Sequence, residues 1–342
     1  MKQSSSYTLK DIAKELGMSV STVSRALSDH AHTSEETKKK VKEAVEKLGY
    51  HYNAMAGGLR NNKSNIIGLM VPRISMYFQS TIMTAIQNKL HEYGYNLMVC
   101  QSNDSPVIEK ELAVALYSAR IEGLIVASTL YTEDFSHFDI YKKNNIPLVF
   151  YDRVPTNYPS HQIKGDEFQG AYISTKHLLE QGCRRIALIG GPLSCGLYRE
   201  RYAGYQEALR QYGLPLDEDI IFFHELNSKN AIYACEALFS QEPYPDGVFC
   251  CNDTTAIAVM QYAKEMNVQV PGQLKVAGYT NDPRTVIIEP PLTSVEQFPY
   301  GVGEQVANLM MDLIRKREKA SFSYISITTP VQLITRASTQ DK

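Results

Sequence analysis

The spacing of hydrophobic positions along this chain changes near residue 64. Before that point, apolar residues recur every three or four positions, which is typical of amphipathic helices. After it, short apolar runs alternate with amphipathic stretches of about 12 to 15 residues, which is typical of βαβ units and parallel sheets. The pattern therefore predicts a small helical N-terminal region followed by a larger α/β region.

Residues 8–28, TLKDIAKELGMSVSTVSRALS, are predicted to form two short helices separated by a glycine. Thr8 is suited to cap the first helix, Gly17 to end it and Ser19 to cap the second. The polar side chains left on the outer face of the second helix are those of Ser21, Thr22, Ser24 and Arg25. This arrangement predicts a helix-turn-helix, whose second helix fits the major groove of DNA. An amphipathic helix pair on the rim of an enzyme is the alternative, because helix-turn-helix patterns are permissive.

A third helix is predicted between residues 33 and 49. Thr33-Ser34-Glu35-Glu36 has the form of a capping box, and Gly49 follows the last apolar position. Three helices that close one small core would make a complete DNA-reading head. The run Lys38-Lys39-Lys40 is interpreted as a solvated face that adds only long-range attraction.

The positive charge of the chain is concentrated in this helical region. The formal net charge is −2 overall, but residues 1–63 hold 11 Lys+Arg against 7 Asp+Glu, a net of +4. The remaining residues hold 24 against 30, a net of −6. The charge thus lies where a module that contacts phosphates needs it.

Residues 49–63, GYHYNAMAGGLRNNK, connect the helical region to the α/β region. Asn53 can cap a short helix that runs to Arg60, but its two glycines cost about 1 kcal/mol each relative to alanine. We therefore expect this helix to form only with a partner, and Leu59 would then be placed to wedge into a minor-groove base step. A passive linker is the alternative.

The α/β region reads as two consecutive sets of strands and helices. The first set contains IIGLMV (66–71), NLMVC (96–100), GLIVA (123–127) and PLVFY (147–151), and the scheme restarts at RIALIG (185–190). Two sheets of like design imply a ligand cleft between them, at the carboxyl ends of the strands. Three polar clusters follow predicted strands and are expected to bind a polar ligand there: Asp152-Arg153, Asn252-Asp253 and Thr280-Asn281-Asp282.

Several classes of protein are disfavoured by the sequence. The six cysteines form no CxxC pair and lie mostly in apolar runs, so buried thiols are expected rather than disulfides or a metal site. We find no nucleophile elbow, P-loop or dinucleotide fingerprint, so neither an enzyme nor a cofactor is predicted. MKQSSSYTLKD lacks an apolar h-region, and no apolar run approaches ~18 residues. We therefore expect a cytoplasmic protein with no membrane contact, rather than a transport receptor with a signal peptide.

Head, connector and body together resemble the LacI/GalR family of bacterial transcription regulators over essentially the full chain. The matching stretches are TLKDIAKELGMSVSTVSRALS, SEETKKKVKEAVEKLGYHYNAMAGGLR, IIGLMVPRIS, GCRRIALIGGP, RYAGYQEAL, CNDTTAIAVM, PGQLKVAGY, EPPLTSVEQ and LITRAST. The resemblance implies an α/β fold with a three-helix DNA-binding head, a hinge helix and a two-lobed body similar to periplasmic binding proteins. The implied boundaries are head 1–52, hinge 53–63, first lobe 64–163 plus 292–322, and second lobe 164–291 plus 323–342.

The family further implies a homodimer that binds double-stranded operator DNA. Its operator affinity would rise or fall when a small, sugar-like effector binds between the lobes. Val20, Ser21 and Arg25 then occupy base-reading positions, and Leu59 is the intercalating leucine. The other residues expected to contact DNA are Thr8, Ser19, Thr22, Ser24, His32, Asn53 and Arg60.

The residues expected to contact the effector are Phe78, Asp152, Arg201, Asn252 and Thr280. Phe78 would pack against a sugar ring, while the arginine and amide side chains would bind hydroxyls. Arg201 has an alternative role as an inter-lobe salt-bridge residue. Thr280 stands where many sugar-binding members have an aspartate, so one charged acceptor is missing and an effector of another kind is an open alternative. A catabolite-type regulator with a protein or sugar-phosphate corepressor also remains open, as does the choice between inducer and corepressor.

Overall fold

The structure is a computed structural model of the chain. It divides into two compact units, Met1–Asn65 and Ile66–Lys342. The residues that it describes are 7–27, 32–49, 64–240, 242–316 and 323–340. The predicted hinge helix, with Asn53, Leu59 and Arg60, lies outside the described residues.

The first unit contains three helices in its described residues: α1 (Leu9–Glu15), α2 (Val20–Leu27) and α3 (Glu35–Leu48). The backbone N and Oγ1 of Thr8 both donate to Asp11 Oδ2, at 2.7 Å each, which fixes the start of α1. The apolar positions of all three helices meet in one small core, which consists of Ile12, Ala13, Val23, Ala26, Val41 and Ala44 with flanking leucines. The predicted three-helix head is confirmed.

The cap of α3 differs from the prediction. Ser34 rather than Thr33 caps the helix, because Ser34 Oγ accepts a hydrogen bond of 3.3 Å from the backbone N of Thr37. The predicted box placed the cap one residue too early. The end of the helix is as predicted, since Gly49 adopts the left-handed conformation (φ 61°) that glycine tolerates best.

The second unit is built on two six-stranded sheets, which confirms the predicted α/β class. The first sheet has the order β11-β5-β4-β3-β1-β2, and the second has the order β12-β10-β9-β8-β6-β7. Neighbouring strands are parallel, except that β10 and β12 are antiparallel. The strands are β1 (Ile66–Val71), β2 (Asn96–Gln101), β3 (Gly123–Val126), β4 (Leu148–Tyr151), β5 (His161–Gly165), β6 (Ile186–Gly190), β7 (Ile221–Phe223), β8 (Gly247–Cys250), β9 (Lys275–Tyr279), β10 (Thr293–Glu296), β11 (Ser326–Thr329) and β12 (Gln332–Ile334).

Helices cover the faces of both sheets. The α-helices of this unit are α4 (Tyr77–Glu92), α5 (Pro106–Ser118), α6 (Asp139–Lys143), α7 (Glu167–Glu180), α8 (Gly196–Gln211), α9 (Ser228–Leu238), α10 (Asp253–Glu265) and α11 (Pro299–Lys316). Short 3-10 turns lie at Ser136–Phe138, Glu218–Ile220 and Pro283–Val286. Helix α11 packs closely on α4 in the first lobe, where a Cβ at Gly303 would come within 2.6 Å of the carbonyl oxygen of Ile82.

Two of the predicted lobe boundaries are wrong. Strand β10, at 293–296, was expected in the first lobe but pairs with β9 in the second sheet. Strand β11, at 326–329, was expected in the second lobe but pairs with β5 in the first sheet. The physical reason is that these four-residue strands are placed by pairing with distant strands, which their own short patterns do not encode. The chain therefore crosses between lobes after β5, after β10 and after β11.

Five of the six cysteines are buried, as predicted, and Cys100 is partly buried. Burial raises the pKa of Cys183 and of Cys251 to about 12, so both remain protonated at neutral pH. Among the described residues, no cluster of His, Cys, Asp and Glu is arranged to hold a metal ion. No helix in that part of the chain combines the length and apolar composition needed to cross a bilayer.

Candidate DNA-binding helix and effector cavity

The outer face of α2 carries the predicted DNA-contacting side chains. Val20 is 38% exposed at the start of the helix, and Ser21 and Arg25 are exposed on the same face. The inner face is buried through Val23 and Ala26. An exposed valine beside a guanidinium and a hydroxyl offers an apolar contact for a thymine methyl and donors for a guanine edge.

Local hydrogen bonds hold this face in place. Ser19 Oγ accepts from the backbone N of Thr22 at 3.1 Å, and the hydroxyls of Ser21 and Thr22 each lie 2.8 Å from it. Arg25 Nε donates to the carbonyl oxygen of Ser21 at 3.3 Å. All these bonds span four residues or fewer, so α2 itself positions its outer side chains.

The remaining predicted contact residues of the head lie on its surface. Thr8 and His32 are exposed, and Ser24 is half-buried beside Val23. Two lysines of α3 pair with acids of the same helix: Lys38 Nζ lies 2.7 Å from Glu35, and Lys40 Nζ lies 2.8 Å from Glu36. Exposed pairs of this kind contribute little to stability, which fits a solvated face.

A cavity of about 440 Å³ lies between the two lobes of the second unit. Three of the five predicted effector residues, Phe78, Asn252 and Thr280, line it, whereas Asp152 and Arg201 do not. The first lobe contributes Arg73, Ser75, Met76, Tyr77, Phe78, Asp104, Leu130 and Arg153. The second lobe contributes Tyr198, Glu225, Leu226, Asn227, Asn252, Asp253, Thr254, Thr280, Asp282 and Arg284.

Asn252 has a structural role as well as a place in the cavity wall. Its Oδ1 accepts from the backbone N of Thr255 at 2.8 Å and caps α10, while Nδ2 donates to the carbonyl oxygen of Leu226 at 3.1 Å. Because a primary amide has two N–H donors, one donor remains for a ligand. Thr280 follows β9 with a φ of 114°, and its backbone N donates to Val295.

Arg201 lies beneath the cavity wall rather than in it, at 4% exposure. Its Nε donates to Glu167 Oε2 at 2.7 Å, its Nη1 donates to the carbonyl oxygen of Cys251 at 2.5 Å, and its guanidinium lies 3.5 Å from the ring centroid of Tyr279. Glu167 is itself buried, and a buried carboxylate needs a cationic partner. Both helices of this pair belong to the second lobe, so this ion pair does not join the two lobes and the alternative of an inter-lobe salt bridge is wrong. The effector contact of Arg201 stays a prediction.

Asp152, next to the lining residue Arg153, is not among the residues that line the cavity. Its Oδ2 accepts from Gln79 Nε2 at 2.9 Å, and Gln79 Oε1 accepts from the hydroxyl of Tyr151 at 2.5 Å. Burial raises the pKa of Asp152 to about 6, against the opposing effect of the neighbouring Arg153. Asp152 itself is only partly buried, at the end of a hydrogen-bond chain whose other members, Gln79 and Tyr151, are buried in the first lobe. Its effector contact stays a prediction.

Charged residues form much of the wall; Arg153 belongs to a predicted polar cluster, whereas Arg73, Asp104 and Glu225 were not singled out from the sequence. Arg153 Nη1 lies 2.5 Å from Asp104 Oδ1, and both side chains are buried. Arg73 Nε lies 3.2 Å from the other oxygen of Asp104 and its Nη2 lies 3.8 Å from Glu225, across the lobes. The wall also contains residues that come shortly after strands β1, β2 and β7, namely Arg73, Asp104 and Glu225. The sequence analysis searched for polar residues after three other strands. The same search at the ends of β1, β2 and β7 would have found these residues.

The carboxylates on the second-lobe side are also engaged. Asp253 accepts from Ser294 Oγ at 2.6 Å and from the backbone N of Asp282 at 2.7 Å. Burial raises the pKa of Asp253 to about 7. Arg284 donates from Nε to Asp282 Oδ1 and from Nη2 to Asp282 Oδ2, at 2.9 Å each. The cavity therefore combines aromatic rings with charges that already neutralise one another, which suits a polar ligand without a large net charge.

Comparisons with known proteins match both units of the chain. Residues 8–53 match the family model described as bacterial regulatory proteins of the lacI family, and residues 175–339 match the model of the periplasmic binding protein-like domain. The HTH-type transcriptional repressor PurR of Actinobacillus pleuropneumoniae serotype 3 (strain JL03) is 28% identical over 334 residues, covering 98% of each chain.

Solved structures give the same result. The lac repressor dimer bound to operator and the anti-inducer ONPF superposes with a TM-score of 0.87 at 25% identity, covering 98% of this chain and 100% of that one. The complex of the transcriptional regulator CelR with cellobiose superposes with a TM-score of 0.73 at 25% identity, covering 97% and 99%.

Proposed function

We propose that the chain, whose head matches the lacI family model, is a LacI-family DNA-binding transcriptional regulator and a homodimeric repressor of carbohydrate-utilisation genes. In this proposal a sugar-like effector binds in the cavity between the lobes and changes operator affinity. The observation that carries it is the cavity wall, where aromatic rings and hydrogen-bonding side chains from both lobes face the same space. A repressor acts on the chromosome, so we place the protein in the cytoplasm.

The head supports the DNA-binding part of the proposal. Val20, Ser21 and Arg25 share the exposed face of one helix, as a major-groove reader requires. A homodimer follows from the expectation of a two-fold operator, and the similar lac repressor is described as a dimer on its operator. The hinge residues Asn53, Leu59 and Arg60 stay in the proposal as expected minor-groove contacts.

The charge balance of the cavity supports a neutral sugar over a sugar phosphate. Arg153 pairs with Asp104, and Arg284 pairs with Asp282, so the guanidinium charges are compensated within the wall. Phe78 offers an apolar face on which a sugar ring packs. The similar regulator CelR is described in complex with cellobiose.

The DNA-binding part is tested with the full-length chain and a random duplex library. We expect selection to enrich a two-fold symmetric sequence, which the chain then retards in gel-shift experiments at moderate salt. Enrichment of a single half-site, or of no sequence, would contradict a dimeric operator-binding protein.

The effector part is tested by thermal unfolding of the full-length chain with four probes. Cellobiose and ribose represent neutral sugars, glucose 6-phosphate represents sugar phosphates, and hypoxanthine represents planar heterocycles. A ligand that binds the folded state at 100 times its Kd raises stability by about 2.7 kcal/mol. We expect a neutral sugar to raise the melting temperature and to change DNA retardation, while a shift with glucose 6-phosphate or hypoxanthine alone would reassign the effector class.

A pair of phenylalanine variants locates the site. Phe78→Ala removes an aromatic ring from the cavity, so we expect it to abolish the ligand-induced shift. Phe168→Ala removes a ring that is 39% exposed on α7 and does not line the cavity, so the shift should persist. An unchanged shift in Phe78→Ala would place the ligand elsewhere.

A further inference from the structure

A short segment of the first lobe, residues 128–132, extends from β3 to the second lobe, and we name it the strap. Two buried carboxylates of the first lobe hold its backbone. The backbone N of Thr129 donates to Glu109 Oε2 at 3.0 Å, and that of Leu130 donates to Asp104 Oδ1 at 3.3 Å. Glu109 is fully buried and Asp104 is 7% exposed, so the strap is anchored firmly on its own lobe.

The strap makes two hydrogen bonds to the second lobe. The hydroxyl of Tyr131 donates to Glu225 Oε1 at 2.9 Å, and the carbonyl oxygen of Leu130 accepts from Ser194 Oγ at 2.9 Å. Glu225 also forms an ion pair with Arg73, whose Nη2 lies 3.8 Å from Glu225 Oε2. One second-lobe carboxylate thus joins two separate elements of the first lobe.

Other inter-lobe contacts lie outside the cavity wall. Arg199 Nη2 donates to Thr156 Oγ1 at 3.0 Å, and Lys164 Nζ lies 2.5 Å from Glu200. Glu225 differs from them because it lines the cavity. A ligand hydroxyl and the first lobe would therefore compete for the same carboxylate oxygens.

We propose that Glu225 is a positioning residue that acts as an inter-lobe latch, holding the strap and the two lobes together before any ligand binds. A polar ligand that donates hydrogen bonds to Glu225 would displace the Tyr131 hydroxyl and the Arg73 guanidinium from the carboxylate oxygens, and would so alter lobe closure. That consequence rests on the proposed effector function, whereas the latch is tested without ligand. Failure to find an effector would leave the test of the latch intact.

The test is hydrogen exchange of the full-length chain, followed by mass spectrometry of peptides that cover the strap. Glu225→Gln removes the charge of the latch, and Tyr131→Phe removes only its O–H donor. We expect both variants to speed exchange of the strap amides about 3- to 10-fold, because a charge-assisted hydrogen bond that limits local opening is lost. The effects of the two changes should be less than additive in the double variant, because both act on the Tyr131–Glu225 contact.

Matched controls come from α9 in the second lobe. Glu236→Gln and Tyr233→Phe make the same chemical changes at exposed positions that do not line the cavity, and they should leave strap exchange unchanged. Exchange of β8, at Gly247–Cys250, reports on the core of the second lobe and should stay slow in every variant.

Two outcomes would overturn the latch. The first is unchanged strap exchange in Tyr131→Phe, and the second is an additive effect in the double variant, which would mean that the two groups act separately. If Glu225→Gln also speeds exchange in β8, the change has loosened the whole lobe. Tyr131→Phe then decides alone, because it deletes one oxygen from a side chain that is 41% exposed.

Discussion

The outer face of α2 and the wall of the inter-lobe cavity are both polar surfaces, but they are assembled differently. On α2 the bonds that orient Ser19 and Arg25 span three and four residues. In and beneath the cavity wall, Arg153 reaches Asp104 across 49 positions and Arg201 reaches Glu167 across 34. The outer side chains of α2 are exposed and available to a binding partner. The charged side chains in and beneath the cavity wall already form ion pairs with one another. Equivalent substitutions in the two regions should therefore have different effects.

The largest effect is expected from Arg201→Ala. Removing one partner of a buried ion pair leaves Glu167 charged and uncompensated, which costs about 3 to 5 kcal/mol of unfolding free energy. Thermal or urea unfolding of the full-length chain measures this loss. Arg210→Ala on the same helix is the control, because that side chain is 71% exposed and pairs with Glu207 at the surface. A loss below about 1 kcal/mol in Arg201→Ala would show that Glu167 is satisfied without it.

A paired variant sharpens this point. Arg201→Met combined with Glu167→Met removes both charges, so it should recover much of the stability lost in Arg201→Ala. If the double variant is less stable than the single one, packing rather than charge dominates at this position.

The next effect concerns pH and separates a buried carboxyl from an exposed one. Burial raises the pKa of Asp253 from 3.8 to about 7, so between these values the folded state binds more protons than the unfolded state. Stability from this group therefore falls as pH rises toward 7, by roughly 2 to 4 kcal/mol in total. Asp253→Asn should flatten the slope of stability between pH 5 and 8, as measured by urea unfolding.

The control for this slope is an exposed aspartate. Hydrogen bonds from Ser136 lower the pKa of Asp134, so its contribution is present at neutral pH and is lost only as the medium becomes strongly acidic. Asp134→Asn should keep the wild-type slope between pH 5 and 8. A wild-type slope in Asp253→Asn would mean that Asp253 is ionised in the folded protein throughout this range.

A smaller effect, and one on binding rather than on folding, is expected from Arg25→Ala. If Arg25 reads bases as proposed, its loss should weaken binding to the selected operator about 10- to 100-fold, or 1 to 3 kcal/mol, and leave the melting temperature unchanged. Gel-shift competition between the operator and a random duplex measures the ratio. Lys39→Ala, which removes a charge from α3, should weaken binding to both duplexes alike. Equal losses on both duplexes in Arg25→Ala would remove it from the reading face.

The smallest effect tests the cap of α3. Ser34→Ala removes the acceptor of the Thr37 backbone N–H and should destabilise the helix by about 1 kcal/mol. Thr33→Ala, at the position that the sequence pattern favoured, should change stability by less than about 0.5 kcal/mol. Hydrogen exchange of α3 peptides in the full-length chain measures both. If Ser34→Ala and Thr33→Ala change the stability of α3 equally, Ser34 is not the dominant cap of the helix.

Much of the head was predictable because its interactions are local. Thr8, Gly17 and Ser19 act at the helix ends where their side chains and backbone preferences place them. The strand-end rule also found part of the cavity wall, through Asn252 and Thr280, because parallel strands bring their carboxyl ends to one edge. These features depend on a few consecutive residues or on one general property of parallel sheets.

The amino-acid sequence by itself thus determined the class of each element, the helix-turn-helix and the existence of two lobes with a cleft between them. Only the tertiary structure decided which sheet receives β10 and β11, and that Arg201 is bound to Glu167 beneath the cavity instead of facing it. Periodicity and capping are set by neighbours within about four residues of each other. Strand partners and buried ion pairs join residues that are distant along the chain, and many pairings are compatible with the same local pattern until the whole core is packed.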